Sequence, residues 1–60
     1  MATRENRWLG SNELVMFYRD GTFHVIEEYE GWSEVFTGTY EQARSYMDKR
    51  EIAYLEATIG

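Results

Sequence analysis

His24 is the only imidazole in sixty residues and there is no cysteine, so thiol nucleophiles and thiolate metal ligands are excluded from the start. An enzyme needs a nucleophile, an acid and base pair, or a metal, held where water is kept out. Strand alternation sets His24 beside Phe17 and Thr37, the surroundings of a partly buried structural histidine rather than of a general base. Ser11, Ser33 and Ser45 stand in no nucleophile motif. Glu27 and Glu34 could form the carboxylate pair of a glycosidase, one protonating the leaving group while the other attacks or activates water. A small sheet with one helix has no cleft deep enough to hold a sugar between them. The run Glu27-Glu28-Tyr29-Glu30 lacks the spacing and the glycine of a calcium loop. The expectation is a protein that is not an enzyme and carries no cofactor and no metal.

These groups are positioned by residues 13–37, ELVMFYRDGTFHVIEEYEGWSEVFT, which predict a three-stranded antiparallel meander. Asp20-Gly21 lies between two runs rich in β-branched and aromatic residues, a strong hairpin signal because a type I′ turn needs positive φ at both central positions. With those two residues as the loop, Tyr18 faces Phe23, Phe17 faces His24, Met16 faces Val25, Val15 faces Ile26 and Leu14 faces Glu27. Glu30-Gly31 is read as a second turn of the same kind, setting Tyr29 against Trp32, Glu28 against Ser33, Ile26 against Val35 and Val25 against Phe36. Period-two alternation then sorts the side chains. Leu14, Met16, Tyr18, Phe23, Val25, Tyr29, Trp32 and Phe36 form a core face. Val15, Phe17, His24, Ile26 and Val35 form the other, rimmed by Glu13, Glu28, Glu30, Ser33 and Thr37. Glu27 and Glu34 fall opposite each other on the core face, an unfavourable like-charge pair. Either they lie at the open end of the sheet or a bulge shifts the second turn by one residue.

The flanks are read as follows. Residues 1–12, MATRENRWLGSN, show neither strand nor helix period and predict an irregular N-terminal arm, with Trp8 and Leu9 as its sizeable apolar groups. The pair either covers a sheet edge or the end of the core, or anchors a partner. Thr39 begins a helix over residues 39–50, with Gln42 completing a capping box and Glu41 favoured by the helix dipole in the first turn. Tyr40, Ala43 and Met47, with Tyr46, fall on one face, while Arg44 and Asp48 lie outside. Residues 52–59 alternate again and predict a fourth strand, with extension of the helix through Leu55 as the alternative, because Ala, Leu and Glu are good helix formers. The fold class is α+β in a single small domain, residues 1–60: a small antiparallel sheet of three or four strands in the order β-β-β-α-β, with one helix packed on one face.

At this length only about 60% of the unfolded chain's surface is buried on folding, and without cysteine no disulfide supplies the deficit. Five Tyr, three Phe and two Trp must compensate. No apolar run is long enough for a secretion signal or a membrane span, and the start Met-Ala-Thr-Arg fits a cytosolic protein, so the expectation is a soluble cytoplasmic chain. The net charge of −5 disfavours direct binding to nucleic acid or to an anionic membrane. Residues 20–43 hold Asp20, Glu27, Glu28, Glu30, Glu34 and Glu41 without one Lys or Arg, so the acidity belongs to the middle of the sheet.

One helix covers one face, leaving Val15, Phe17, Ile26 and Val35 as an apolar patch rimmed by carboxylates, a pattern that marks interaction sites. The expected partner is another protein with a basic surface that handles nucleic acid, with carboxylates standing where phosphates would sit. Glu28, Glu30 and Glu34 are the candidate charge contacts, and Phe17, Ile26 and Trp8 the candidate apolar contacts. The alternative is a structural protein that pairs this face with a second copy of itself in a homodimer rather than remaining a monomer. In layout, a short acidic chain without cysteine, with a tight hairpin, one helix and a closing strand, the protein resembles the small inhibitors that bacteriophages and other mobile elements direct at host enzymes, among them RNA polymerase inhibitors and anti-CRISPR proteins. That resemblance implies an inhibitor acting by steric occlusion or nucleic-acid mimicry in the host cytoplasm.

Overall fold

Asp20 and Gly21 adopt φ of 54° and 79°, the left-handed pair that a two-residue I′ turn requires. They join β2 (Asn12–Arg19) to β3 (Thr22–Glu28), and every pairing expected across this hairpin is present, from Leu14 opposite Glu27 to Tyr18 opposite Phe23. The computed structural model describes residues 4–59. Over them the chain forms a four-stranded antiparallel sheet in the order β1-β2-β3-β4, with one C-terminal helix packed on one of its faces. The α+β class holds, but the order is β-β-β-β-α.

The fourth strand comes from the N-terminal side. Arg4–Leu9 is β1, an edge strand paired with β2 from Arg4 opposite Phe17 to Leu9 opposite Asn12, where an irregular arm was expected. Residues 1–3 of that arm lie outside the described residues. Gly10, with φ of 67°, and Ser11 make the connecting turn, which has the glycine-first pattern of a type II′ loop. The strand escapes a hydrophobicity reading because both of its faces are polar. Glu5, Arg7 and Leu9 alternate toward the helix, where Tyr40 Oη donates to Glu5 Oε2 at 2.6 Å and Arg7 Nη1 donates to Asp48 Oδ1 at 2.6 Å and to Glu51 Oε1 at 3.3 Å. Asp48 is therefore a contact between helix and sheet and not an outward-facing residue. Leu9, 7% exposed, joins the core.

The second turn differs from the expected one by one residue. Tyr29, Glu30 and Gly31 form a three-residue loop, so Glu28 pairs with Trp32, Glu27 with Ser33 and Ile26 with Glu34 along β4 (Trp32–Gly38). A one-residue slip turns every side chain to the other face. Trp32 and Glu34 thus leave the core face, and Trp32 is 52% exposed. A bulge on β4, opposite Val25 and Ile26 of β3, then absorbs Val35 as the extra residue and restores the expected pairing of Val25 with Phe36. Val35 packs against the core and not on the outer face. Tyr18 keeps the expected face, packed edge-on against Phe23, but is 55% exposed at the end of the strand, and Tyr29, in the loop, is 64% exposed.

The helix α1 (Tyr40–Ile59) starts as the capping box predicts: Gln42 N donates to Thr39 Oγ1 at 3.1 Å and Thr39 N donates to Gln42 Oε1 at 3.0 Å. It then runs for 20 residues, through the stretch read as a strand over 52–59. With β1 already paired to β2, the sheet gains its fourth strand from upstream, and the good helix formers of residues 51–57 continue the helix. Tyr54, on the added turns, packs on the Gly10 turn so closely that a Cβ at Gly10 would lie 2.8 Å from Tyr54 Oη. Leu14, Met16, Val25, Ala43 and Met47, all fully buried, form the core with Leu9, and Phe23, Phe36, Tyr40, Tyr46 and Tyr54 close it. The helix is not apolar enough to cross a membrane.

Candidate interaction face

The two faces of the sheet treat their charges differently. On the helix side each carboxylate that could be stranded has a donor. Arg50 grips Glu27 with two hydrogen bonds, Nη1 to Oε1 at 3.1 Å and Nη2 to Oε2 at 2.9 Å. That contact holds the Glu27 carboxyl below its ordinary range and the Arg50 guanidinium above its own. Asp48 raises Arg7 in the same way, and the hydrogen bond to Glu5 raises the Tyr40 phenol. Glu27 and Glu34, adjacent on paper, stand on opposite faces, Glu27 toward the helix and Glu34 away from it. They cannot flank one glycosidic bond.

The open face is built in cross-strand rows. Its first row is Trp8, Glu13, Glu28 and Trp32, one residue from each strand, each directly opposite the next. The second is Asn6, Val15, Ile26 and Glu34, and the third is Arg4, Phe17, His24 and Thr37. Of the residues expected to contact a partner, Trp8, Phe17, Ile26, Glu28 and Glu34 share this face, while Glu30 sits beside it at the tip of the β3–β4 turn with φ of 55°.

Within the face, the third row is already occupied by its own contacts. The His24 ring stacks on Phe17 with centroids 5.3 Å apart, and the Arg19 guanidinium lies 5.5 Å from the Phe17 centroid. His24 Nδ1 donates to Glu34 Oε2 at 2.9 Å, and Nε2 lies 3.3 Å from the Arg19 carbonyl oxygen. The ring is thus packed on Phe17 and held by Glu34, with Thr37 opposite it on β4. Val15, central in the second row, is only 1% exposed, so the apolar patch expected around it presents little of Val15 itself.

The exposed apolar surface is instead at the ends of the first row, where Trp8 is 59% and Trp32 52% exposed. Between them Glu13 accepts from Asn6 Nδ2 at 2.8 Å and Glu28 accepts from the Gly31 backbone N–H at 3.2 Å. Among the described residues neither carboxylate has an ion-pair partner. A two-residue Glu30-Gly31 turn puts Trp32 inside, whereas the three-residue Tyr29–Gly31 loop turns it outward. Only the length of that loop could have moved Trp32 to the outside.

A second exposed apolar strip, Ile52, Leu55 and Ile59, runs along the outer side of α1 at 55%, 47% and 82% exposed, with Glu56 beside it. A shallow groove lined by Phe36, Glu41, Gln42, Tyr46 and Lys49 separates β4 from the start of the helix. The helix strip includes no residue of the open face, and the groove reaches it only at Thr37. The chain matches no family model, no curated protein and no solved structure.

Proposed function

We propose that this protein is a non-catalytic binding module whose open sheet face docks on a basic surface of another protein, one that handles nucleic acid, and blocks that surface. One observation carries the reading: the face opposite the helix bears two half-exposed tryptophans in a row with Glu13 and Glu28, with Glu34 and Glu30 nearby. Large aromatic side chains supply most of the energy at protein interfaces, and like-signed carboxylates around them favour a cationic partner and speed its approach. In its short acidic chain, tight hairpin and single helix the protein still resembles the small inhibitors made by phages and mobile elements, although the closing strand of that layout is helix here; on that resemblance the partner would be a host enzyme in the host cytoplasm. The carboxylates would stand where the partner's nucleic-acid phosphates lie. The chain itself, at net charge −5, would not bind nucleic acid.

The test is capture of the partner from a bacterial lysate with tagged protein, its identification, and titration of the purified pair against salt. Glu28→Lys with Glu30→Lys should weaken binding roughly tenfold or more and flatten its salt dependence while leaving the fold intact, because both side chains are outside the core. The partner should be basic and should lose its nucleic acid on binding. Unchanged affinity in the double variant would end the reading.

The strip Ile52, Leu55 and Ile59 favours a second reading, self-association through the helix. The open face suits that role poorly, since two copies of Glu13, Glu28 and Glu34 would meet. A light-scattering mass of the purified chain decides it: a monomer retains the first reading, and a tight dimer that captures no partner replaces it.

A further inference from the structure

Building on that reading, the geometry points to an arginine side chain of the partner as the group that the first row receives, and we propose that Trp8, Glu13, Glu28 and Trp32 together form a guanidinium slot. Glu13 and Glu28 are directly opposite each other on the two central strands. Directly opposed side chains have Cβ atoms about 5 Å apart, and like charges so placed are destabilising. The chain nonetheless leaves this pair without a cation among its described residues, although Arg50 of the helix meets the neighbouring Glu27 on the other face of the sheet. The hydrogen bonds from Asn6 and from the Gly31 N–H orient the two carboxylates and leave their charge unneutralised.

What stands on either side of the pair selects the kind of cation. Trp8 and Trp32 occupy the neighbouring positions on the two edge strands, so the row reads aromatic, acid, acid, aromatic. At the usual strand spacing the two tryptophan Cα atoms are about 14 Å apart, wide enough for a side chain to come down between them. A guanidinium presents five N–H donors in one plane, bridges two carboxylates, and stacks on an indole with little loss of hydration. A lysine ammonium is compact and strongly hydrated and gains less from the indoles. The slot therefore prefers arginine to lysine, a distinction that net charge alone does not make.

Both tryptophans of the chain lie in this row, so indole emission reports its occupancy directly. The probes are two short peptides of alternating Gly and Arg or Gly and Lys, titrated at low salt. The arginine peptide should shift the emission and bind roughly tenfold or more tighter than the lysine peptide. Glu13→Gln with Glu28→Gln should remove both the affinity and the preference without lowering the melting temperature, since it relieves a repulsion. Trp32→Leu should reduce the preference while keeping an apolar side chain there. Equal binding of the two peptides, or binding indifferent to the Gln variant, overturns the slot. If the slot fails in this way while Glu28→Lys with Glu30→Lys still weakens partner binding, the docking face stands and only the arginine assignment falls. Loss of both overturns the proposed function as well.

Discussion

Leu14→Ala is expected to leave most of the protein unfolded at physiological temperature. Leu14 is fully buried on a central strand, in the cluster with Met16, Val25, Ala43 and Met47 that joins sheet to helix. Truncating such a leucine costs about 2–5 kcal/mol through lost burial and the cavity left behind. A single core in a domain of this size rarely supplies more than about 3–5 kcal/mol in total. The change therefore consumes most or all of the stability, whereas Leu14→Met, which keeps the volume, should cost less than about 1.5 kcal/mol. Thermal melts followed by circular dichroism separate the two variants. Trp32→Ala is the informative contrast. On the expected faces it would have been a core truncation, but half exposed on the open face it should shift the melting temperature by only a few degrees while weakening partner binding. A Trp32→Ala protein that fails to fold would mean that the open face is covered.

What the sequence states well is local. Asp20-Gly21 fixes loop length and turn type together, and from those two facts the whole β2–β3 register follows. Thr39 and Gln42 fix the first turn of the helix by a reciprocal pair of hydrogen bonds within four residues. What it states poorly depends on partners distant in the chain. Glu5 and Arg7 make Arg4–Leu9 look like a polar arm until Tyr40, Asp48 and Glu51, more than thirty residues on, are in place to satisfy them. Gly10-Ser11 was the available signal for that strand, since a glycine-first two-residue loop is a hairpin turn whatever the polarity of its flanks. Residues 52–59 alternate and also contain good helix formers; local pattern could not choose, and the sheet chose by filling its fourth position from the other end.

The open face proposed for docking was legible in the same proportion. Five of six expected contacts share it because the I′ hairpin placed Phe17, Ile26 and Glu28, Trp8 arrived through a strand that was not expected, and Glu34 through the one-residue shift of the second turn held as the alternative to the simple register. Glu13 was read as rim and Trp32 as core. The row that unites them needs all four strands to be in register, which period-two alternation within three of them does not contain. The like-charge conflict read between Glu27 and Glu34 was real evidence, however. It signalled the bulge at Val35, which sends one carboxylate to Arg50 and the other to His24.

That separation gives the second large effect. Arg50→Ala should destabilise the protein at neutral pH by about 2 kcal/mol, below the 3–5 kcal/mol typical of breaking a fully buried pair because Arg50 is 34% exposed while Glu27 is 14% exposed. The variant leaves Glu27 in place with only Asn12 Nδ2, at 3.4 Å, to meet its charge. The pH dependence separates charge from packing. Arg50 holds the folded-state carboxyl of Glu27 below its unfolded value, so the pair's contribution is complete above the ordinary glutamate value of 4.5 and is lost as pH falls through the lower folded value. Wild type should therefore lose stability across that acidic window, and the gap between wild type and Arg50→Ala should close there, when followed by urea midpoints at successive pH values. Glu27→Gln should flatten that part of the wild-type slope. Arg50 also lies 5.7 Å from the Tyr46 centroid and donates to Tyr46 Oη at 2.8 Å, so its removal has a packing cost that pH does not touch. A gap that stays constant down to the acid limit would assign the whole effect to Tyr46 and none to Glu27.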